Sequence, residues 1–172
     1  MAFTNKFSAD FASLIMDRVQ AVLERDVNDA LAGIDGTLPV FVDFKTPVQI
    51  ALKFPCLYVE PSQSDLAQSP DDTYIQSQHQ LIISLSIVSG IEDVDLLKNQ
   101  ITQYAKAVDR VLRTMPASDL ASAVTSARAK PVWEVTQHRF SVLRGNAGVG
   151  DNLPTIFRRD AQLLFVVQIL ER

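Results

Sequence analysis

The chain has very little of what disulfide-bonded domains and metal sites are built from. It contains a single cysteine, Cys56, so an intrachain disulfide is excluded, which fits a reducing compartment. Its two histidines, His79 and His138, lie far apart, and neither has a second His or Cys at the spacing of metal ligands. Cys56 stands in the apolar run Phe54–Val59, so we predict a buried side chain rather than a nucleophile.

Long hydrophobic runs are also lacking. The longest nearly apolar stretch, Leu163–Leu170, is interrupted by Gln168 and is far shorter than the roughly 20 residues of a membrane helix. Residues Met1–Asp10 are polar and contain no apolar segment of the kind that signal peptides carry. We therefore expect a protein that is neither secreted nor inserted in a membrane.

Catalytic motifs are absent as well. The sequence contains neither a Gly-x-Ser-x-Gly elbow nor a His-Glu-x-x-His metal motif. The run 145–150, with Gly145, Gly148 and Gly150, looks like a phosphate-binding loop, but the next predicted element is a strand and no Lys-Ser/Thr pair follows. The sequence thus predicts no catalytic residue, no metal and no cofactor, and the chain is not predicted to be an enzyme.

The 172 residues fit one domain, and 47% of them are hydrophobic, which is enough for a packed core. The net charge of −4 argues against general nucleic-acid binding. The charge is uneven, with −8 in residues 1–100 and +4 in residues 101–172. If the two halves occupy different parts of the surface, this asymmetry suits the ordered stacking of subunits; if they interleave, it disappears.

Apolar residues at helical spacing indicate two amphipathic helices. The first runs from Ala9 to Leu31 and is followed by Gly33 and Gly36, which are typical of helix ends. The second, Asp93–Thr114, has acids at its start and bases near its end, as the helix dipole favours. The predicted buried positions of both helices are Phe11, Ile15, Val19, Val22, Leu23, Val27, Leu31, Leu97, Ile101, Tyr104, Ala105, Val108, Val111 and Leu112. A short helix is predicted at 119–126.

Three strands are predicted between these helices, two short ones followed by a much longer one. Val40–Phe44 is the first and is broken by Pro47; Phe54–Glu60 is the second and is closed by Pro61. Residues 62–72 form a polar stretch with the composition of a loop.

In the long strand, Thr73–Ser89, alternation places a set of apolar residues on one face: Ile75, Leu81, Ile83, Leu85 and Ile87. No Asp, Glu, Lys or Arg occurs from 73 to 91, whereas a solvated strand face of this length normally carries charges that block edge pairing. The polar face is therefore covered either by its own chain or by another subunit, and we favour the second. The candidate subunit interface comprises Gln76, Gln78, Gln80, Ser84 and Ser86.

Two strands close the chain, Val132–Arg144 and Thr155–Leu170. The apolar phase slips within the first, which indicates a β-bulge near 137–139. The second half of the last strand is apolar on both faces, as is typical of a central strand. The sequence predicts a single α+β domain over 1–172, of order α-β-β-β-α-β-β, with both long helices on one face of a mainly antiparallel sheet.

The loop Gly145–Pro154 between these two strands holds Gly145, Gly148 and Gly150, and we expect it to be ordered only by a partner. Four arginines flank it and form a candidate basic rim: Arg139, Arg144, Arg158 and Arg159. This rim either contacts DNA or an acidic protein ring, or is simply solvated.

This order of elements resembles that of phage tail-terminator, or tail-completion, proteins. The resemblance covers nearly the full chain: a long N-terminal helix, the strand Phe54–Pro61, the strand Thr73–Ser89, the helix Glu92–Thr114 and a terminal hairpin. It implies a virion protein, assembled in the host cytoplasm, that forms a homohexameric ring on the tail tube, stops tube polymerisation and joins the tube to the head connector.

The implied partners are further copies of the chain, the tail tube protein and the head connector or stopper protein, with the sheath protein as a further candidate. DNA would only pass through the ring, and no membrane would be involved. Two other readings stay open. The chain is another component of the head–tail neck, or it is a small α+β ligand-binding module or enzyme whose site appears only in three dimensions.

Overall fold

The computed structural model describes residues 11–68, 75–89, 94–115, 134–143 and 157–171. Two helices and four strands follow one another in the order α-β-β-α-β-β. They are α1 (Phe11–Ala32), β1 (Cys56–Gln68), β2 (Ile75–Ser89), α2 (Val94–Thr114), β3 (Glu134–Leu143) and β4 (Phe157–Glu171). The strands form one antiparallel sheet in the order β1-β2-β4-β3.

Both helices pack on one face of the sheet, which confirms the predicted α+β class. Helix α1 lies against β1 and α2, and α2 also lies against β2 and β4. The apolar stripes predicted from periodicity are the buried ones in the structure, apart from Phe11, whose side chain lies outside the described residues. On the sheet side the core is formed by Leu57, Val59, Leu81, Ile83, Leu85, Ile87, Ala161, Leu163, Phe165 and Val167.

The end of α1 follows the glycine signal in the sequence. The Gly33 N–H donates to the Asp29 carbonyl at 3.1 Å, and the Asp35 N–H donates to the Leu31 carbonyl at 2.8 Å. These bonds satisfy carbonyl groups of the last turn, which have no partner further along the helix. The helix therefore ends at Ala32, one residue beyond the prediction.

The predicted strand Val40–Phe44 is wrong. Only one isolated bridge forms there, a parallel one between Asp43 and Cys56. The reason lies in the next turn, because the Asp43 carboxylate accepts the N–H groups of Lys45 and Thr46 at 3.0 and 3.1 Å. This side-chain turn bends the chain away from β1 before a ladder can continue.

The predicted end of the second strand at Pro61 is also wrong, and so is the loop over 62–68. Strand β1 begins at Cys56, crosses Pro61 with a register shift between Pro61 and Gln63, and continues to Gln68. β1 is an edge strand, and the Val59 N–H points outward to the Gln20 Oε1 at 3.2 Å. Pro61, two residues on, has its nitrogen on the same outer side, so its missing N–H costs no bond to β2.

The two C-terminal strands agree with the sequence pattern. β3 pairs with β4 with a register shift between Val135 and His138, next to the predicted bulge. β4 lies between β2 and β3, so it is a central strand, as the sequence predicted. The predicted short helix 119–126 lies outside the described residues.

Candidate functional site

The second face of the sheet, which is the face turned away from the helices, carries the features that bear on function. Cross-strand pairing places Cys56, Ser86 and Asp160 in one row of this face. Tyr58, Ser84 and Gln162 form the next row, and Glu60, Ile82 and Leu164 the one after it.

The end with Cys56 and Ser86 is covered by residues 45–55, which we call the covering segment. Val48 and Ala51 of this segment are buried against Cys56, and Phe54 and Tyr58 pack around them. These residues form a small second core on the opposite side of the sheet from the main one.

A partly buried ionic network fixes the covering segment to the sheet. The Arg158 Nε donates to the Asp160 Oδ1 at 2.7 Å, and its Nη2 donates to the Val48 carbonyl at 2.6 Å. The Asp160 Oδ1 also accepts the Ser86 hydroxyl at 2.5 Å, and the Arg158 guanidinium lies 5.8 Å from the centre of the Phe54 ring. One arginine thus joins β4, β2 and the covering segment through charge-assisted hydrogen bonds.

This arrangement divides the predicted subunit interface. Ser84 and Ser86 are 1% and 0% exposed inside a single chain, so they do not lie on an open surface. Their small hydroxyl groups are used internally, because Ser86 donates to Asp160 and Ser84 accepts the Gln162 amide at 3.4 Å. Ser84 and Ser86 are therefore covered by their own chain and not by another subunit. Gln80 stays partly exposed, and the side chains of Gln76 and Gln78 lie outside the described residues.

The predicted basic rim is divided in the same way. The Arg158 side chain is 18% exposed and is engaged with Asp160 and Val48, so it is a structural residue rather than a solvated one. Arg159 is partly exposed on the helix side of the sheet, opposite Ile87. The backbone of Arg139 pairs with Leu164. Its side chain, Arg144 and the loop residues Gly145, Gly148 and Gly150 lie outside the described residues.

The centre of the second face is apolar and partly exposed. Ile82 of β2 and Leu164 of β4 lie side by side there, with Gln80, Gln162 and Glu60 around them. Sequence reasoning missed Ile82 and Leu164, because it assigned the second face of β2 to glutamine and serine. The signal was present in the sequence, because Ile82 lies an even number of residues from Gln80 and Ser84 and therefore points to the same face of the strand.

Cys56 belongs to the second core, and its side chain is buried, as predicted. It is fully buried, and burial raises the pKa of its thiol to about 12, against the opposing effect of the nearby Arg158. At neutral pH the group is therefore a protonated thiol and not a thiolate nucleophile.

The helix layer separates charge sideways. Helix α1 carries four acids and two arginines, whereas α2 carries four bases and two acids, so α1 is net acidic and α2 net basic. Because α1 lies towards β1 and α2 towards β2 and β4, part of the acidic half and part of the basic half occupy neighbouring helices of one layer.

Within the described residues, no group of three or more His, Cys, Asp or Glu side chains is arranged to hold a metal ion. Neither α1 nor α2 is long and apolar enough to cross a membrane.

Comparison with known proteins gives little further constraint. No family model matches the chain, and no curated protein matches it. Among solved structures, the chain is similar to a chain of the virion of a native gene transfer agent particle. The two share 19% identity over 95% of this chain and 99% of that chain, with a TM-score of 0.46. A similarity of this size supports no conclusion about function.

Proposed function

We propose that this chain is a structural virion protein, a tail terminator that forms a homohexameric ring, caps the tail tube and joins it to the head connector. The observation that carries the proposal is the pair of partly exposed apolar side chains at the centre of the second face of the sheet. A two-layer domain normally leaves its outer sheet face polar, yet Ile82 and Leu164 occupy the centre of this one. Apolar groups in that position are suited to burial against another subunit.

The arrangement of elements supports the same proposal. The long N-terminal helix, the proline-containing strand, the long β2, the amphipathic α2 and the terminal hairpin are all present in the structure. Those elements carry the resemblance to tail terminators. The structure extends the proline-containing strand to Gln68 without changing their order.

The proposed ring assigns roles to residues on its rims. Subunits repeat around a ring through heterologous contacts, in which two different surfaces meet. The loop Gly145–Pro154 and the arginines Arg139, Arg144 and Arg159 then face the tail tube or the head connector. Exposed charges of this kind mainly steer docking and exclude wrong orientations, and salt weakens their effect.

Tail-tube assembly tests the proposed function directly. Purified chain added to polymerising tail tube protein of the same particle should stop growth, so that tubes become shorter as the ratio of chain to tube protein rises. In electron micrographs we expect extra density at one end of each tube only. Tubes of unchanged length with bare ends would contradict the terminator function and would favour a different neck component.

A further inference from the structure

The outer edge of β1 is closed to further strand pairing along its first half. The Leu57 N–H donates to the Asp43 carbonyl at 2.9 Å, and the Val59 N–H donates to the Gln20 Oε1 at 3.2 Å. Pro61, the next residue with its nitrogen on this side, has no N–H to offer. A strand from outside would therefore find no available backbone donor along this half of the edge.

The second half of the same edge is open. Val59 turns its backbone groups outward and pairs with Ile83, so Ile83 and every second residue of β2 turn theirs away from β1. The partners of those β2 residues beyond the register shift are Ser64, Leu66 and Gln68, whose backbone groups therefore also face outward. β1 is the first strand of the sheet, so among the described residues no strand pairs with these three on the outer side.

β3 forms the opposite edge of the sheet. The same alternation, carried across β2 and β4, turns the backbone groups of His138, Phe140 and Val142 outward. These three positions are on the helix side of the sheet, because their partners on β4 belong to the main core. Within the described residues, however, neither helix packs against β3 as α2 packs against β2 and β4.

The helix layer and the sheet have equal widths but are displaced from each other. Four strands at about 4.8 Å span about 19 Å, and two helices at about 10 Å span about 20 Å. Because α2 lies over β2 and β4, α1 stands about 10 Å to one side, at the outer edge of β1, where Gln20 reaches the Val59 N–H. The helix layer thus projects beyond the sheet at β1 and falls short of it at β3 by about one strand.

This displacement decides which edges of two copies can meet. Two β1 edges would bring two α1 helices to the same place. Two β3 edges would leave two neighbouring strands with neither α1 nor α2 over them. A β1 edge against a β3 edge places the projecting α1 of one copy over β3 of the other, so both layers continue without a gap. β1 and β3 also run in opposite directions, so copies related by rotation join them antiparallel.

Charge favours the same pairing. α1 has four acids and two arginines, a net charge of −2, and α2 has four bases and two acids, a net charge of +2. With β1 against β3, each acidic α1 lies between two basic α2 helices, its own and its neighbour's. β1 carries two acids and no base, whereas β3 carries one acid and one arginine. Two β1 edges would therefore bring four acids together.

We propose that residues 64–68 of β1 pair antiparallel with residues 138–142 of β3 in the next copy, with Leu66 opposite Phe140. The contact joins two different edges of one chain, so it is heterologous and repeats from copy to copy. Within one copy, 64–68 are level with the start of β3, so the pairing shifts each copy along the strands, as closing a sheet on itself requires.

This inference rests on the proposed ring and specifies the strands that build it. The edge contact leaves Ile82 and Leu164 of the second face available for the burial that the proposed function assigns to them.

Disulfide trapping tests the contact in the full chain. In the proposed register, Asp65 and Ser141 of neighbouring copies face each other with their Cα atoms about 4.5 Å apart, which a disulfide can span. Under mild oxidation, Asp65→Cys/Ser141→Cys should give a ladder of cross-linked species that reaches the full ring. The native Cys56 does not interfere, because it is buried and protonated at neutral pH.

Three control variants test the alternative pairings of edges. Asp65→Cys alone and Ser141→Cys alone should stay uncross-linked, because each would need two like edges to meet. The matched double variant Asp65→Cys/Val42→Cys has its second thiol on the β1 side of the chain, at a position that is 52% exposed, and should also stay uncross-linked. A dimer from either single variant, or a ladder from the matched control, would overturn the assignment of edges.

The outcomes of trapping separate this inference from the proposed function. A wild-type ring whose Asp65→Cys/Ser141→Cys variant gives no ladder overturns the edge contact alone. A ladder that ends at a number other than six supports the edge contact and contradicts the hexamer. Wild-type protein that remains monomeric at every concentration, with no ladder from the double variant, overturns both.

A proline substitution tests the contact without cysteine chemistry. Leu66→Pro removes an outward N–H and obstructs a neighbouring strand, so it should abolish ring formation. It removes no bond to β2, so the melting temperature of the monomer should stay close to that of the wild type, as at the native Pro61. Leu66→Thr keeps the N–H and should still form the ring. Ring formation by Leu66→Pro, or a monomer that it unfolds, would overturn the proposed register.

Discussion

Arg158→Glu is expected to lower the free energy of unfolding by about 3 kcal/mol. The substitution removes the ion pair with Asp160 and places a second carboxylate beside it. It also removes the donor to the Val48 carbonyl, which loosens the covering segment. The expected loss is at the low end of the range for a buried pair, because both side chains remain about one-fifth exposed (18% and 20%).

Chemical denaturation of Arg158→Glu and Arg159→Glu checks this expectation with a matched pair. Arg159 is adjacent, carries the same charge and is partly exposed on the other face, so its reversal should cost about 0.5 kcal/mol or less. The rate at which a thiol reagent modifies Cys56 is a second measurement, because the covering segment buries this side chain. Modification should be slow in the wild type and in Arg159→Glu, and faster in Arg158→Glu. Equal denaturation midpoints for the two variants would show that Arg158 does not secure the covering segment.

Phe41→Ala is expected to cost about 3–5 kcal/mol, the usual loss for removing a buried aromatic ring. Phe41 packs edge-on against Tyr104, with 5.1 Å between ring centres, and also contacts Phe44. Its backbone is held at the same place, because the Phe41 N–H donates to the Asn28 Oδ1 at 2.9 Å. The ring connects the irregular segment before the covering segment to α2, so its loss leaves a cavity that rigid neighbours cannot fill.

Val42→Ala provides the control for Phe41→Ala. The two positions are adjacent, but Phe41 is 3% and Val42 52% exposed, so Val42→Ala should change stability by no more than about 0.5 kcal/mol. Thermal or denaturant unfolding of both variants measures the difference. Similar, small losses in the two variants would mean that residues 38–44 contribute nothing to the core.

Most of the fold could be predicted because its signals are local. The apolar stripes of α1 and α2 and the alternation in β2 extend over many residues. A single residue that departs from such a pattern therefore does not change the predicted element. The bulge in β3 was visible for the same reason, as a slip in an otherwise regular alternation. These features follow from which side chains can be buried together.

The errors come from tertiary context, which no local pattern contains. Pro61 interrupts strands in general, but on the outer side of an edge strand its nitrogen has no bond to lose. The Val40–Phe44 pattern was undone by the Asp43 side-chain turn. The sequence assigned Arg158 either to a contact with DNA or an acidic protein ring or to solvent. Neither reading contains its structural role, because its partners Asp160 and Val48 are brought together only when β4 meets the covering segment.

The central claim is that copies of this chain assemble into a closed ring of six. Native mass measurement of the full chain over a range of concentrations tests it most directly. The account predicts a discrete species of six protomers of 19.0 kDa each, which replaces the monomer as concentration rises. A wild-type chain that stays at 19.0 kDa at every concentration, or grows without limit into open polymers, would contradict the claim.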